Sequence, residues 1–216
     1  KRDISFVYTL VIDLNEAGRQ IVKRLSAKDQ VVNEDEEAYS IQRGSKPLIH
    51  QPIVIGTGPA GLFAAWHLAV WGFKPIVLER GKSVLGRQKD VAKFWKDGEL
   101  NPNSNVQFGE GGAGTFSDGK LTTRIKDKRV KLILDALIKA GAPPEIAYLA
   151  KPHLGTDKLR SIAANIREEI IRLGGQVFFQ TQVTDFVILG DKLDAVIVNN
   201  KYQLPVSLCV LAAGHS

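Results

Sequence analysis

An α/β fold organised on a parallel sheet is predicted for this chain by three features read together. A β-branched run, Pro52-Ile53-Val54-Ile55, enters the turn Gly56-Thr57-Gly58-Pro59-Ala60-Gly61. A helix-forming segment, Leu62 to Val70, follows at once, and a second apolar run, Lys74-Pro75-Ile76-Val77-Leu78, ends on Glu79, 23 residues after Gly56. Short strand-like runs separated by turn dipeptides then close the chain. Strand, G-x-G-x-x-G turn, helix, strand and acid in that order form the first βαβ unit of a dinucleotide-binding, Rossmann-like domain.

In chain order, residues 1–47 read as a small α/β unit. Ile4 to Ile12 is strand-like, Glu16 to Leu25 is an amphipathic helix with Ile21, Val22 and Leu25 on one face, and Ala38 to Ile41 returns as a strand. Arg43-Gly44-Ser45-Lys46-Pro47 reads as a linker, so residues 48–216 form the second domain. There Gly56 permits the tight turn, Gly58 lets backbone approach a pyrophosphate, and Gly61 lets helix and strand pack closely. Pro59 suits the first helical turn, where its missing N–H costs nothing. With Ala60 it opens a helix whose positive end faces phosphate. Glu79 is placed to accept hydrogen bonds from a ribose hydroxyl.

Beyond Glu79 the chain becomes loop-rich. Gly86 to Gly98 reads as a helix containing Val91, Phe94 and Trp95. The stretch Asn101 to Lys120 then holds glycines at 109, 111, 112, 114 and 119, punctuated by Phe108 and Phe116. Such a density has an entropic cost, and it suits backbone lying close against a flat ligand better than a flexible linker. Lys128 to Ala140 is an amphipathic helix stopped by Gly141 and Pro143-Pro144. A second helix runs from Asp157 to about Leu173 and stops at Gly174-Gly175. Four strand-like runs follow: Val177 to Phe179, Val183 to Leu189, Ala195 to Val198 and Val206 to Ala213. The middle two, with turns at Gly190-Asp191 and Asn199-Asn200, suggest an antiparallel β-meander, and the last returns to the parallel sheet.

Of the 216 residues, 44% are hydrophobic, enough for a sizeable core, and 24% are charged, ordinary for a soluble globular protein. No apolar run is long enough to span a bilayer. The net charge of +6, from 29 basic and 23 acidic residues, suits an anionic cofactor or substrate. Its densest basic group (Lys120, Arg124, Lys126, Lys128, Arg129 and Lys131) has no aromatic interleaving, so nucleic acid is not the expected partner. The single cysteine, Cys209, reads as a buried strand thiol, and a cytoplasmic setting is expected. No metal site is expected. A start at Lys1, the absence of methionine and a stop just after an apolar strand suggest part of a longer polypeptide.

Over most of its length the chain resembles the FAD-binding proteins of the glutathione-reductase superfamily. The resemblance rests on the glycine turn, Glu79-Arg80, the glycine-rich middle loop, Gly174-Gly175 before a strand, the meander and Val210-Leu211-Ala212-Ala213-Gly214. The segments Gly86 to Val91, Asn105 to Leu121 and Lys151 to Asp157 are similar, more narrowly, to bacterial FAD-dependent dehydrogenases. That group carries a small α/β unit ahead of the flavin domain. The resemblance implies an FAD/NAD(P)-binding Rossmann-like domain with FAD as cofactor. Gly56, Gly58, Pro59, Ala60 and Gly61 would cradle the pyrophosphate, Glu79 the adenosine ribose, and Arg80 would lie on the adenine side. It places Arg87 among the cofactor contacts and brings Gly111, Gly112, Ala113, Gly114 and Thr115 towards the isoalloxazine. Val183 would meet adenine through its backbone, and Ala213-Gly214 would pass near the pyrophosphate. The C-terminal segment that closes the ribityl site in such proteins is absent, so this stretch alone is expected to bind FAD poorly.

A flavin carries the redox chemistry itself and lowers the need for a triad of catalytic side chains. The candidates for chemistry are Lys120, through charge stabilisation, and His153, through proton exchange. His215 also sits beside a glycine, whereas His50 and His67 read as structural. The expected activity is that of a flavin-dependent dehydrogenase with its substrate and electron partner open. The alternatives are an NAD-dependent dehydrogenase on the same βαβ unit, or a flavin-containing binding or RNA-associated protein in which FAD is structural.

Overall fold

The computed structural model describes residues 14–18, 44–121, 123, 125, 127, 129–149 and 151–214. Two compact units make up the chain, residues 1–42 and 43–216, the division falling at the start of the expected linker, residues 43–47. In the first unit residues 16–18 are helical, and the Gly18 N–H donates to Asn15 Oδ1 (3.0 Å). The expected strands at 4–12 and 38–41, and the rest of the expected helix, lie outside the described residues.

The second unit is built on four parallel strands. They are β1 (Ile53–Ile55), β2 (Ile76–Leu78), β3 (Gln176–Phe178) and β7 (Cys209–Leu211), in the order β3-β2-β1-β7. Helix α1 (Pro59–Val70) connects β1 to β2, and α2 (Val84–Asp97) follows β2. Helices α3 (Arg129–Lys139) and α4 (Thr156–Arg172) then lead into β3. Strands β4 (Val183–Leu189), β5 (Lys192–Val198) and β6 (Tyr202–Pro205) form a separate antiparallel sheet between β3 and β7.

Alternation along the short parallel strands divides the core in two. Val54 and Val77 are fully buried under α1, α3 and α4 with Leu62, Ala65, Leu137, Ile162, Ile166 and Ile170, and Val177 and Val210 pack against the same cluster. Ile53, Ile55 and Leu78 face the other way, against Val196, Val198 and Val206 of the meander side, where Ile76 and Cys209 join them. Each fully buried Val, Leu or Ile side chain stabilises by about 1.5–3 kcal/mol, so both layers contribute to the fold. Cys209 is half-buried and its thiol is pushed up by that burial, as a strand thiol facing an apolar layer should be.

Three boundaries differ from the sequence pattern. Helix α2 starts at Val84, ahead of Gly86, because Glu110 Oε2 accepts the Val84 N–H (2.7 Å) across 26 residues. The meander has a third strand, β6, whose four residues are too few to show alternation. The last strand is shorter than its apolar run: the Val206 N–H donates to Asp194 O (2.9 Å), which keeps Val206 with the meander.

The β5–β6 turn has Asn199 and Asn200 at φ +52° and +55°, the conformation of a tight hairpin turn that asparagine tolerates. Asn200→Val is expected to cost about 1–2 kcal/mol, the penalty for a branched residue in the left-handed region. Asn200→Gly should be near neutral. Urea unfolding of the two variants beside the parent checks both.

Candidate functional site

The carboxyl ends of β1, β2 and β7 meet the amino end of α1, and the chain crossings there leave a cleft of about 380 Å³. That volume falls within the range of small-molecule pockets. Gly56 makes the turn out of β1 at φ +99°, and a Cβ there would lie 2.5 Å from Ala212 O. At Gly61 a Cβ would overlap the Gly56 carbonyl, so this glycine is required by helix–strand packing. Gly58 differs. Its φ is −63°, and a Cβ there would have nothing within 4 Å. The space above Gly58 is left open at the amino end of a helix that begins with Pro59, where the helix dipole is positive.

Glu79 is only 6% exposed and lines the cleft while bracing it. Its Oε2 accepts from the Thr57 N–H (2.8 Å) and from Thr57 Oγ1 (2.6 Å), and its Oε1 accepts from the Gly81 N–H (2.6 Å). A carboxylate has about four acceptor positions. Three are used within the protein, which leaves room on Oε1 for one more donor. The expected ribose acceptor is thus also the tie between the glycine turn and the end of β2. Arg80 leans over the Phe108 ring, 4.2 Å from its centre, and both line the cleft.

The glycine-rich loop forms one wall through Gln107, Phe108, Gly109, Gly112 and Ala113. It presses directly on the glycine turn: the Gly111 N–H donates to Thr57 O (2.8 Å), and a Cβ on Gly112 would lie 3.1 Å from Pro59 Cδ. Thr115 is buried, with Oγ1 between Arg87 and Gly112 O, and Gly111 packs against Thr115 and Ala163. Val183, Ala213 and Gly214 line the cleft, whereas Ala60, Gly61, Gly111, Gly114 and Thr115 do not. Sequence reasoning missed Ile55, Leu78, Gln107, Phe108, Thr181, Gln182 and Ala212. For Ala212 the signal was its position in Ala212-Ala213-Gly214; the others depend on tertiary contacts.

Arg87, Lys120 and His153 do not line the cleft. Arg87, expected to touch a cofactor, is fully buried and directs its guanidinium into the loop. Burial lowers it to about 10, opposed by the carboxylates of Glu79 and Glu110, so it stays charged at neutral pH. Lys120 and His153 are brought together as an isolated antiparallel bridge, but both are exposed and neither lines the cleft. The Lys120 ammonium pairs with Asp118 (2.7 Å), and that hydrogen bond holds the carboxyl below and the ammonium above their ordinary values. His50 donates its backbone N–H to Ser207 Oγ (2.9 Å), and His67 meets Trp66 edge-on in α1. His215 lies outside the described residues. Among the described residues lining the cleft, Glu79 and Arg80 are the only ones with charged side chains.

No family model matches the chain. An uncharacterized protein of Clostridium beijerinckii is 50% identical over 216 residues, which cover 100% of this chain and 40% of that protein. Thiamine thiazole synthase of Aeropyrum pernix is 29% identical over 175 residues, covering 78% of this chain and 52% of the synthase. The chain therefore spans about half or less of the length of these relatives. Among solved structures, THI4 of Thermovibrio ammonificans superposes with a TM-score of 0.48 at 16% identity, covering 76% of this chain and 57% of that one. For glycine oxidase of Bacillus cereus the TM-score is 0.41 at 16% identity, with 76% and 55% covered. Among the described residues no helix is long and apolar enough to cross a membrane.

The two glycines of the turn should separate in stability. Gly61→Ala is expected to cost about 3 kcal/mol, since its neighbour is backbone that has nowhere to move. Gly58→Ala should stay within about 0.5 kcal/mol of the parent. Chemical denaturation decides between these values.

Glu110 supplies a pH signature. Burial pushes its carboxyl above the ordinary glutamate value, against the opposing pull of the Val84 N–H and Arg167. A raised folded value means stability that is full below about 4.5 and is lost as pH rises through the folded value. The unfolding free energy of the parent minus that of Glu110→Gln should therefore fall as pH rises from 4 to 7. Denaturant titrations across that range measure the slope, and a rise would count against the assignment.

Proposed function

We propose that this chain forms the FAD-binding part of a flavin-dependent oxidoreductase of the glutathione-reductase type. The observation that supports it best is the open space above Gly58, at the amino end of α1, with the buried Glu79 carboxylate at its rim. A pyrophosphate fits the helix end, and the remaining acceptor position of Glu79 Oε1 fits a ribose hydroxyl. Arg80 and Phe108 offer a cationic and aromatic rim for the base, and Val183 offers backbone beside it. The residues present therefore fit the adenosine diphosphate part of the cofactor. When bound, the flavin would supply hydride and electron transfer. The chain's own part is to hold the anion, orient the ribose and keep the loop closed on the turn. An NAD-dependent dehydrogenase shares the βαβ unit, but the glycine-rich wall and the meander over the sheet favour the flavin reading.

Two measurements test it. This stretch should quench added FAD in a fluorescence titration, though with low affinity, and NAD should compete more weakly still; binding of NAD alone would overturn the reading. Gly58→Val should weaken FAD binding at least tenfold without loss of fold, because the added side chain enters the ligand's space. Flavin retained at full occupancy by that variant would place the pyrophosphate elsewhere.

Glu79→Gln should weaken FAD by about 1.5–3 kcal/mol, the range for a hydrogen bond to a charged group. It should also lose stability, since its amide donor would face either Thr57 or the Gly81 N–H. Titration and melting of the same preparation read both effects.

A further inference from the structure

Among the described residues Arg87 is the largest fully buried side chain, and it does not line the cleft. Its donors are distributed over one loop. Nε donates to Asn105 O (2.7 Å) and Nη2 to Val106 O (2.7 Å). Nη1 lies 2.7 Å from each of Glu110 O, Gly112 O and Thr115 Oγ1. Phe116 closes the end of the loop, its ring centre 4.7 Å from the Arg87 guanidinium carbon and 4.6 Å from that of Arg160. A segment of eleven residues, 105–115, is thus gathered around one cation.

The consequence follows from peptide geometry. In a planar trans peptide the carbonyl and the following N–H point in opposite directions. Turning Glu110 O inward onto Arg87 therefore turns the Gly111 N–H outward, and that N–H is the one that donates to Thr57 O at 2.8 Å. Thr57 is in turn fixed by Glu79. Holding Gly112 O inward likewise sets Gly112 against Pro59 and Gly58. We propose that Arg87 is a positioning residue that orients the peptides of the 105–115 loop and so sets the distance between that loop and the phosphate turn. It rests on the proposed function only for the identity of the ligand in the cleft.

The inference separates the guanidinium's shape from its charge. Lysine keeps the charge but offers three donors on one nitrogen, which cannot reach carbonyls spread over this loop. Arg87→Lys should thus resemble Arg87→Met more than the parent. Hydrogen–deuterium exchange on the ligand-free protein is the first readout. In both variants exchange should rise at least tenfold at Gly111 and across residues 105–115, while α4 and the β4–β5 hairpin keep their protection. Unchanged protection of the loop in Arg87→Met, or a uniform rise across the whole second unit, would overturn the proposal.

The second readout is FAD titration of the parent, Arg87→Lys, and Arg87→Gly with and without added ethylguanidinium or ethylammonium. Tenfold or greater weakening in Arg87→Lys, with rescue of Arg87→Gly by ethylguanidinium alone, is expected. Equal rescue by the two cations would reduce Arg87 to a source of charge and overturn its positioning role. Should the parent bind no flavin, the proposed function fails, and the exchange measurement still decides the role of Arg87.

Discussion

The buried carboxylate of Glu79 is the contact on which the site depends. It stands at the end of β2, yet both bonds of its Oε2 go to Thr57, in the turn between β1 and α1. Through it the first strand, the second strand and the start of the helix share one anchor. The same Thr57 passes the constraint on, since its carbonyl receives the glycine-rich loop through Gly111. A carboxylate this buried is tolerated because its hydrogen bonds replace the water it lost.

Around that anchor the unit keeps three ionisable side chains away from solvent: Glu79, Glu110 and Arg87. They are not arranged as simple pairs. Arg87 is bonded to carbonyl oxygens and a hydroxyl, while Glu110 is bonded to the Val84 N–H and approached by Arg167 Nε at 2.9 Å. Charge therefore serves mainly to order backbone. That matters for a loop with so many glycines, whose own conformational freedom would otherwise leave the cleft wall unformed.

Much of the fold was legible because its signals are local. The βαβ unit declared itself through Gly56, Gly61, Pro59 and two β-branched runs, and α4 through its apolar stripe and the glycines that follow. The meander was visible in the Gly190 and Asn199-Asn200 turns, though not its four-residue third strand. What escaped was long-range. Nothing beside Arg87 in the sequence shows that its acceptors lie 18 to 28 residues on, and the start of α2 depends on a carboxylate 26 residues away. Lys120 and His153 drew attention through their glycine neighbours. Those glycines instead let two loops touch, with Leu154 N–H donating to Gly119 O (2.9 Å).

The place of β7 in the sheet bears on how the molecule comes together. Strand β1 lies beside β2, 23 residues on, and beside β7, where Ile53 pairs with Cys209 across 156 residues. Closing so long a loop before any contact rewards it is slow. Yet Ala212, Ala213 and Gly214, just past β7, form one side of the cleft, and Gly56 turns against the Ala212 carbonyl. During synthesis the glycine turn thus emerges early and waits, half-walled, for a strand made much later. Possession of a complete cleft is a record that the most distant pairing in the sheet has already formed.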